Sequence, residues 1–487
     1  MMKFIRKERL IRTGCCFWFL IVAVSMTISC VSMPTDIRVK DSLMEEESVS
    51  GLLAQQPEAG VLIYSPEEDR YSLTQNSEKQ FTPASTTKIL TSLFALGVLG
   101  ESFRFSTDLK ISGYIDQGGT LHGDLYIVGS GDPDLTLSDL RQLSEGAYER
   151  GLRKVTGNIY YDDSYLPKLK VIDPKQHGPA TYNPGVSALS SESNIGRVEW
   201  STQDGETVVY PVPNFSFKGI QLGENATDLD DSGWLHLPYP AAESGRKYFP
   251  VYNPSQFTGR LMTNCLAMSG VHVAQNVAEG VAPPGSKLLL THRSKKLSDL
   301  ISIMMEPSDN LMAELILLRS AREIRKKSVS LKESGKMLAD WAGQTYSLPS
   351  EMILPNGSGL GFDHRMTPLQ LMNVLQHAPK HFFTFLPVAG IKGTLKRRMF
   401  TPDSALRVWA KTGTMFYTSA VAGKMLAASG KPYLFVLFDT DFKARYELDS
   451  LSPEDAGDPQ VTRSAVSWLT SSRSWQDRFI ASWIREN

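Results

Sequence analysis

The chain has 487 residues, enough for two or three domains and several buried cores. Lysine and arginine total 51 against 52 acidic side chains, and the resulting net charge of −1 gives no footing for a nucleic-acid partner. A hydrophobic content of 41% excludes a largely disordered chain.

The first thirty residues differ from the rest. Lys3, Arg6, Lys7, Arg9 and Arg12 precede an uncharged run from Thr13 to Met33 that is dense in aromatic and aliphatic side chains. That pattern reads as an export signal, or as a membrane span if it is retained. Thr27-Ile28-Ser29-Cys30 adds a third fate, because it resembles a bacterial lipobox and would place a lipid on Cys30. The expected location is therefore outside the cytoplasm, in the periplasm or cell envelope. Cys15, Cys16 and Cys30 all sit in this leader, which leaves Cys265 alone in the body. A lone cysteine makes no internal bridge and reads as a small buried hydrophobe.

Residues 31–58 are polar, with Glu45, Glu46 and Glu47 in a row, and are expected to form a flexible tether. Order is expected from about Gly60. Residues 59–106 hold a hairpin, Val61–Tyr64 with Tyr71–Leu73, and a helix running to about Leu99 whose apolar face is Ile89, Leu90, Leu93 and Phe94. From 107 to 290 short β-type runs alternate with Gly, Pro, Asn and Asp, the texture of a mostly-β insertion. Helical period returns within 291–487, at Leu297–Met305, Leu311–Leu318 and Leu369–Leu375. Three β runs follow, at Val408–Ala410, Ser419–Ala422 and Tyr433–Phe438. A last amphipathic helix begins near Val461, with Val466, Leu469 and Trp483 as its anchors. The expected fold is an α/β catalytic domain split by the long insertion.

Three segments in this frame carry chemistry. Ser85-Thr86-Thr87-Lys88 opens the first helix, where i, i+3 spacing stacks the lysine beside the serine hydroxyl. A serine attacks only when a base takes its proton, and a lysine serves as that base only when its pKa is lowered. Ser308-Asp309-Asn310 precedes the next strong helix and reads either as an N-cap or as a relay around the nucleophile. Lys411-Thr412-Gly413-Thr414 falls in a predicted strand, where a glycine lets another chain approach closely and an extended substrate could add along the edge. Lys411 is expected to bring a second positive charge near Ser308. The backbone N–H groups of Ser85 and Thr414 form the natural oxyanion-hole pair. A second Ser-x-x-Lys, Ser244–Lys247, lies in a Pro- and Gly-rich stretch with no helical period.

The three segments keep this order, and 220 residues separate Lys88 from Ser308. With Leu125–Pro133, Gly157–Ser164, Asn356–Leu360 and Gly393–Arg398, they resemble the low-molecular-mass class C penicillin-binding proteins, the D-alanyl-D-alanine carboxypeptidase/endopeptidase family. The resemblance implies a β-lactamase/transpeptidase-like catalytic domain, an antiparallel sheet flanked by helices. It also implies an exported serine carboxypeptidase acting on peptidoglycan stem peptides through an acyl-enzyme, with β-lactams as inhibitors and no cofactor. By the same match Ser85 is the nucleophile and Lys88 its base, while Ser308, Asn310 and Lys411 relay and position. Thr412, Gly413 and Thr414 match the substrate-binding strand, and Asp162 and Arg398 match positions that meet the diamino-acid side chain of the stem peptide. Met415-Phe416-Tyr417 and Gly361–Arg365 depart from the family pattern.

Two other functions compete. A β-lactamase or esterase needs a base for the deacylating water, and none stands out in the sequence. A non-catalytic cell-wall scaffold would leave an intact nucleophile set unused. Gly129–Pro133 lacks the Gly-Lys-Ser/Thr ending of a phosphate loop, and the eight histidines show no paired-ligand spacing, so no metal site is expected.

Overall fold

A computed structural model describes residues 47–176, 180–203, 206–211, 219–223, 228–229, 234–238, 244–273, 277–348, 351–451, 455 and 458–487. The leader with its three cysteines and most of the expected tether lie outside the described residues. Order begins earlier than Gly60, with helix α1 (Val49–Gln55), whose first turn is capped by Ser48 Oγ accepting from Gly51 N–H at 3.2 Å. Leu52 on this helix is fully buried, so this part of the stretch expected as a flexible tether is folded instead. The expected hairpin follows as β1 (Gly60–Ser65) and β2 (Arg70–Gln75). One tight turn over Ala84–Thr86 then leads into α2 (Thr87–Leu99).

The β-rich stretch opens with the long hairpin β3 (Ser106–Ile115) and β4 (Thr120–Gly129). It continues through α3 (Leu137–Glu149), β5 (Lys154–Val155) and β6 (Ile159–Asp162). Next come β7 (Ile195–Gln203), β8 (Glu206–Pro211), β9 (Gly219–Gly223), β10 (Asp228–Leu229), β11 (Trp234–Pro238) and β12 (Ser244–Pro250). It closes with α4 (Pro254–Met268), β13 (Val277–Glu279) and β14 (Lys287–Arg293). One sheet here runs β13-β6-β4-β3-β14, and Leu109, Leu125, Leu140 and Leu261 bury a core between it and the two helices. Cys265 sits in that core, and burial pushes its thiol up to about 11, as befits a packing residue. Ser244 and Lys247 fall on β12, where residues three apart face opposite sides, so this second Ser-x-x-Lys cannot make a nucleophile–base pair.

The chain then supplies α5 (Leu297–Met305), α6 (Asn310–Arg325), α7 (Leu331–Thr345) and α8 (Pro368–His377). Strands β15 (Val408–Met415), β16 (Thr418–Leu426) and β17 (Pro432–Thr440) follow, then α9 (Phe442–Asp449) and α10 (Pro459–Glu486). The central sheet runs β15-β16-β17-β1-β2 and is antiparallel throughout. Side chains alternate across it. Leu434, Val436 and Phe438 join α2, α5 and α6 in one core, while Tyr433, Phe435 and Leu437 join α1 and α10 in the other. Both faces are apolar, which is why Tyr433–Phe438 reads as an unbroken hydrophobic run. On α10, Leu469 and Trp483 are buried as expected of anchors, but Val466 is 48% exposed. No helix among the described residues is long and apolar enough to cross a membrane.

Candidate active site

Ser85 lies at the N-terminal end of α2, in the tight turn that precedes it. The turn is strained: Ala84, immediately before the serine, has φ +46°, a conformation that costs a residue with a Cβ. Two glycines make room for it. A Cβ on Gly359 would meet Ala84 O at 1.9 Å, and one on Gly413 would meet Pro83 O at 2.7 Å and Ser85 N at 3.0 Å. The close approach inferred for Gly413 is therefore real, but the backbone that comes near is the protein's own nucleophile turn, not a substrate's.

Lys88 is fully buried. Its Nζ lies 2.9 Å from Ser85 Oγ, 2.7 Å from Asn310 Oδ1 and 2.8 Å from the carbonyl oxygen of Ser358. Burial drives its pKa down to about 7, against the pull of Glu314 and Asp309 in the other direction. A neutral amine has two N–H bonds and one lone pair. Asn310 Oδ1 and Ser358 O can only accept, so they take both N–H bonds. The lone pair is left for the Ser85 hydroxyl, which is the arrangement a general base needs.

The second and third segments meet on the other side of Ser85. Asp309 caps α6 by accepting from Met312 N–H at 2.9 Å, the capping reading of this segment. Ser308 itself holds φ +67°, which turns its hydroxyl to Lys411 Nζ at 2.8 Å. Lys411 is fully buried and also donates to Thr412 O at 2.7 Å. Burial and the neighbouring Lys88 hold its ammonium well below the usual lysine range. Thr412 Oγ1 donates to Thr394 Oγ1 at 2.7 Å, and Thr414 Oγ1 accepts from Arg473 Nη2 at 2.9 Å.

These groups border a cleft of about 470 Å³, lined by Ser85, Ser308, Asn310, Thr412 and Thr414. Asp162 and Arg398 are not in its lining. Asp162 is buried as a turn clasp, accepting from Ser164 Oγ at 2.7 Å and Ala282 N–H at 2.8 Å. Arg398 is committed to Asp477 through Nε at 3.0 Å and Nη2 at 2.6 Å. Both carry satisfied polar atoms inside the fold, so the expectation that they face the substrate is not what the geometry shows.

Several residues in or behind the cleft escaped the sequence reading. Glu314, one turn beyond Asn310 on α6, is fully buried and accepts from Gly357 N–H and Ser358 N–H, each at 2.8 Å. It thereby holds the loop whose Ser358 carbonyl grips Lys88. A carboxylate inside the apolar run Leu311–Leu318 was the available signal. Tyr182, from the inserted stretch, offers its carbonyl to Asn310 Nδ2 at 2.9 Å and lines the cleft, as do Arg445 and Arg473. Nothing local in the sequence marks these three.

The profile of the D-Ala-D-Ala carboxypeptidase 3 (S13) family matches residues 46–232 and 236–459. The chain belongs to this family. Its chemistry is accordingly that of a serine-type D-Ala-D-Ala carboxypeptidase, a cell-wall-acting class. The chain is 26% identical over 428 residues to D-alanyl-D-alanine carboxypeptidase DacB of Haemophilus influenzae, covering 80% of this chain and 88% of that one. It is also 26% identical over 439 residues to the D-alanyl-D-alanine carboxypeptidase of Actinomadura sp., covering 80% and 78%. The solved structure of penicillin binding protein 4 from H. influenzae matches with a TM-score of 0.71 at 24% identity, over 88% of this chain and 99% of that one. That similarity supports the fold expected from the sequence, an α/β core with an antiparallel sheet flanked by helices.

Proposed function

We propose that Ser85 attacks the carbonyl between the two terminal D-alanines of a peptidoglycan stem peptide and forms an acyl-enzyme that water then releases. The observation that carries this assignment is the buried Lys88, whose two obligate acceptors leave its lone pair to Ser85. In this reading Lys88 Nζ takes the hydroxyl proton as the oxygen attacks. The backbone N–H groups of Ser85 and Thr414 receive the developing oxyanion. The proton reaches the leaving amine by way of Ser308, whose hydroxyl is paired with Lys411. Thr412 and Thr414 hydroxyls meet the substrate's free carboxylate, and Gly413 lets their strand lie against the nucleophile turn.

β-Lactams acylate the same serine, being carbonyl compounds that present a carboxylate in a similar place. Cleavage of peptide cross-links uses the same acyl donor and differs only in the amine that leaves. A β-lactamase needs a base for rapid deacylation, and among the described residues the cleft lining contains neither Asp nor Glu. Export through the leader, with Cys30 as a lipid site, fits an enzyme whose substrate lies outside the cytoplasm. Incubation with a fluorescent penicillin, followed by intact mass of the wild type and of Ser85→Ala, tests the nucleophile. Labelling that persists in the variant refutes it, and D-alanine release from a purified muropeptide tests the activity itself.

A further inference from the structure

The cleft has an electrostatic asymmetry that the three sequence segments do not account for. Among the described residues its lining holds two arginines and no carboxylate. Arg445 is already paired along its own helix, with Nε 3.1 Å and Nη2 2.7 Å from the Asp449 carboxylate. Arg473 is different. The nearby acid, Asp477, is taken by Arg398, and Arg398 also occupies the backbone carbonyl of Arg473 at 3.3 Å. The Arg473 side chain donates from Nη2 to Thr414 Oγ1, and its Nε is buried without a partner. A guanidinium of five donors, held half-buried at the edge of the cleft with one neutral acceptor, is under-paired. It is aimed at the hydroxyl assigned above to the substrate carboxylate.

We propose that Arg473, carried by the C-terminal helix α10, is a substrate-binding residue that anchors the free carboxylate on the leaving side of the scissile bond. Its fork suits a carboxylate geometrically, and the anion supplies the counter-charge that the lining lacks. Lys411 cannot fill this part: it lies behind Ser308, fully buried, with its Nζ already bonded to Ser308 Oγ and Thr412 O. Thr414 then acts as the hinge of the contact, accepting from Arg473 and donating its own O–H to the carboxylate. The inference rests on the carboxypeptidase reading and specifies how that site recognises a chain terminus.

The test compares two substrates on the full chain: a stem-peptide analogue ending in D-Ala-D-Ala with a free carboxylate, and the same peptide as its terminal carboxamide. Arg473→Gln is expected to lower kcat/KM for the free acid by about 30- to 100-fold, mostly through KM, and to collapse the acid-to-amide preference by a similar factor. Arg473→Lys, which keeps the charge but loses the fork, is expected to retain an intermediate preference, and it serves as the measurement if the glutamine variant folds poorly. A preference unchanged in both variants, or equal losses on acid and amide, overturns the proposal. A wild type that neither labels with penicillin nor releases D-alanine overturns the parent reading and this one together. A labelled wild type with an unaltered preference in the variants removes Arg473 alone.

Discussion

Lys88 acts through what surrounds it rather than through what it is. An exposed lysine is protonated at neutral pH and useless as a base, whereas this one has lost its water and is poised near pH 7. The sign of the pH dependence follows. Below about 7 the amine is increasingly protonated and acylation slows; above it the neutral form accumulates. The second-order rate of penicillin acylation is therefore expected to rise roughly tenfold per pH unit up to about pH 7 and then level, in stopped-flow or quenched labelling. A flat profile across that range argues against Lys88 as base. Glu314 holds the lysine's pKa up, because its negative charge favours the ammonium. Glu314→Gln removes that charge, so the acid limb of the same profile is expected to move to lower pH. The amide also turns an N–H toward one of the two backbone donors that Glu314 now satisfies, leaving it unpaired at a cost of about 1–3 kcal/mol, visible as a lower melting temperature.

Single elements deliver several groups at once. Helix α6 begins just after Ser308, presents Asn310 in its first turn and Glu314 one turn later, so one helix orients relay, amide and supporting carboxylate. Strand β15 delivers Lys411, Thr412 and Thr414, and its distance from the nucleophile turn is set by Gly413. Gly413→Ala puts a methyl group 2.7 Å from Pro83 O, so strand and turn must separate. The expected result is a loss of about 10²-fold in acylation rate with the fold retained, measured by labelling kinetics alongside circular dichroism. A variant that labels at the wild-type rate contradicts the geometry. The elements were largely legible because their patterns are local: a short unbroken apolar run in Tyr433–Phe438, helical period in Ile89–Phe94, and Ser-x-x-Lys at a helix start. What was not legible is long-range. Asp162 and Arg398 are polar residues in matching stretches, but what they touch depends on Ala282 and Asp477, more than a hundred and almost eighty residues away. The reverse holds for Arg473, which bears on Thr414 only because α10 folds back over the central sheet.

At the scale of the whole molecule, the first and last described helices close on each other. Trp475 Nε1 on α10 donates to Leu52 O on α1 at 2.8 Å, and Val49 N–H donates to Glu486 Oε1 at 3.0 Å. Leu52→Ala empties a fully buried site beneath this contact and is expected to cost about 3 kcal/mol, read as a lowered denaturant midpoint. An unchanged midpoint would mean that α1 is dispensable. The inserted stretch, for its part, is more than an appendage. Its Tyr182 carbonyl, at 2.9 Å, occupies one N–H of the Asn310 amide, and the other end of that amide accepts from Lys88. The amide therefore cannot flip without giving up an acceptor at one end and presenting N–H to N–H at the other. Two segments separated by 128 residues thus share one rotamer decision. Anyone grafting this catalytic core onto a shorter scaffold, or excising the insertion to make a minimal enzyme, would be cutting the tether of that decision and would have to supply a new acceptor for Asn310 before Lys88 could be trusted to face Ser85.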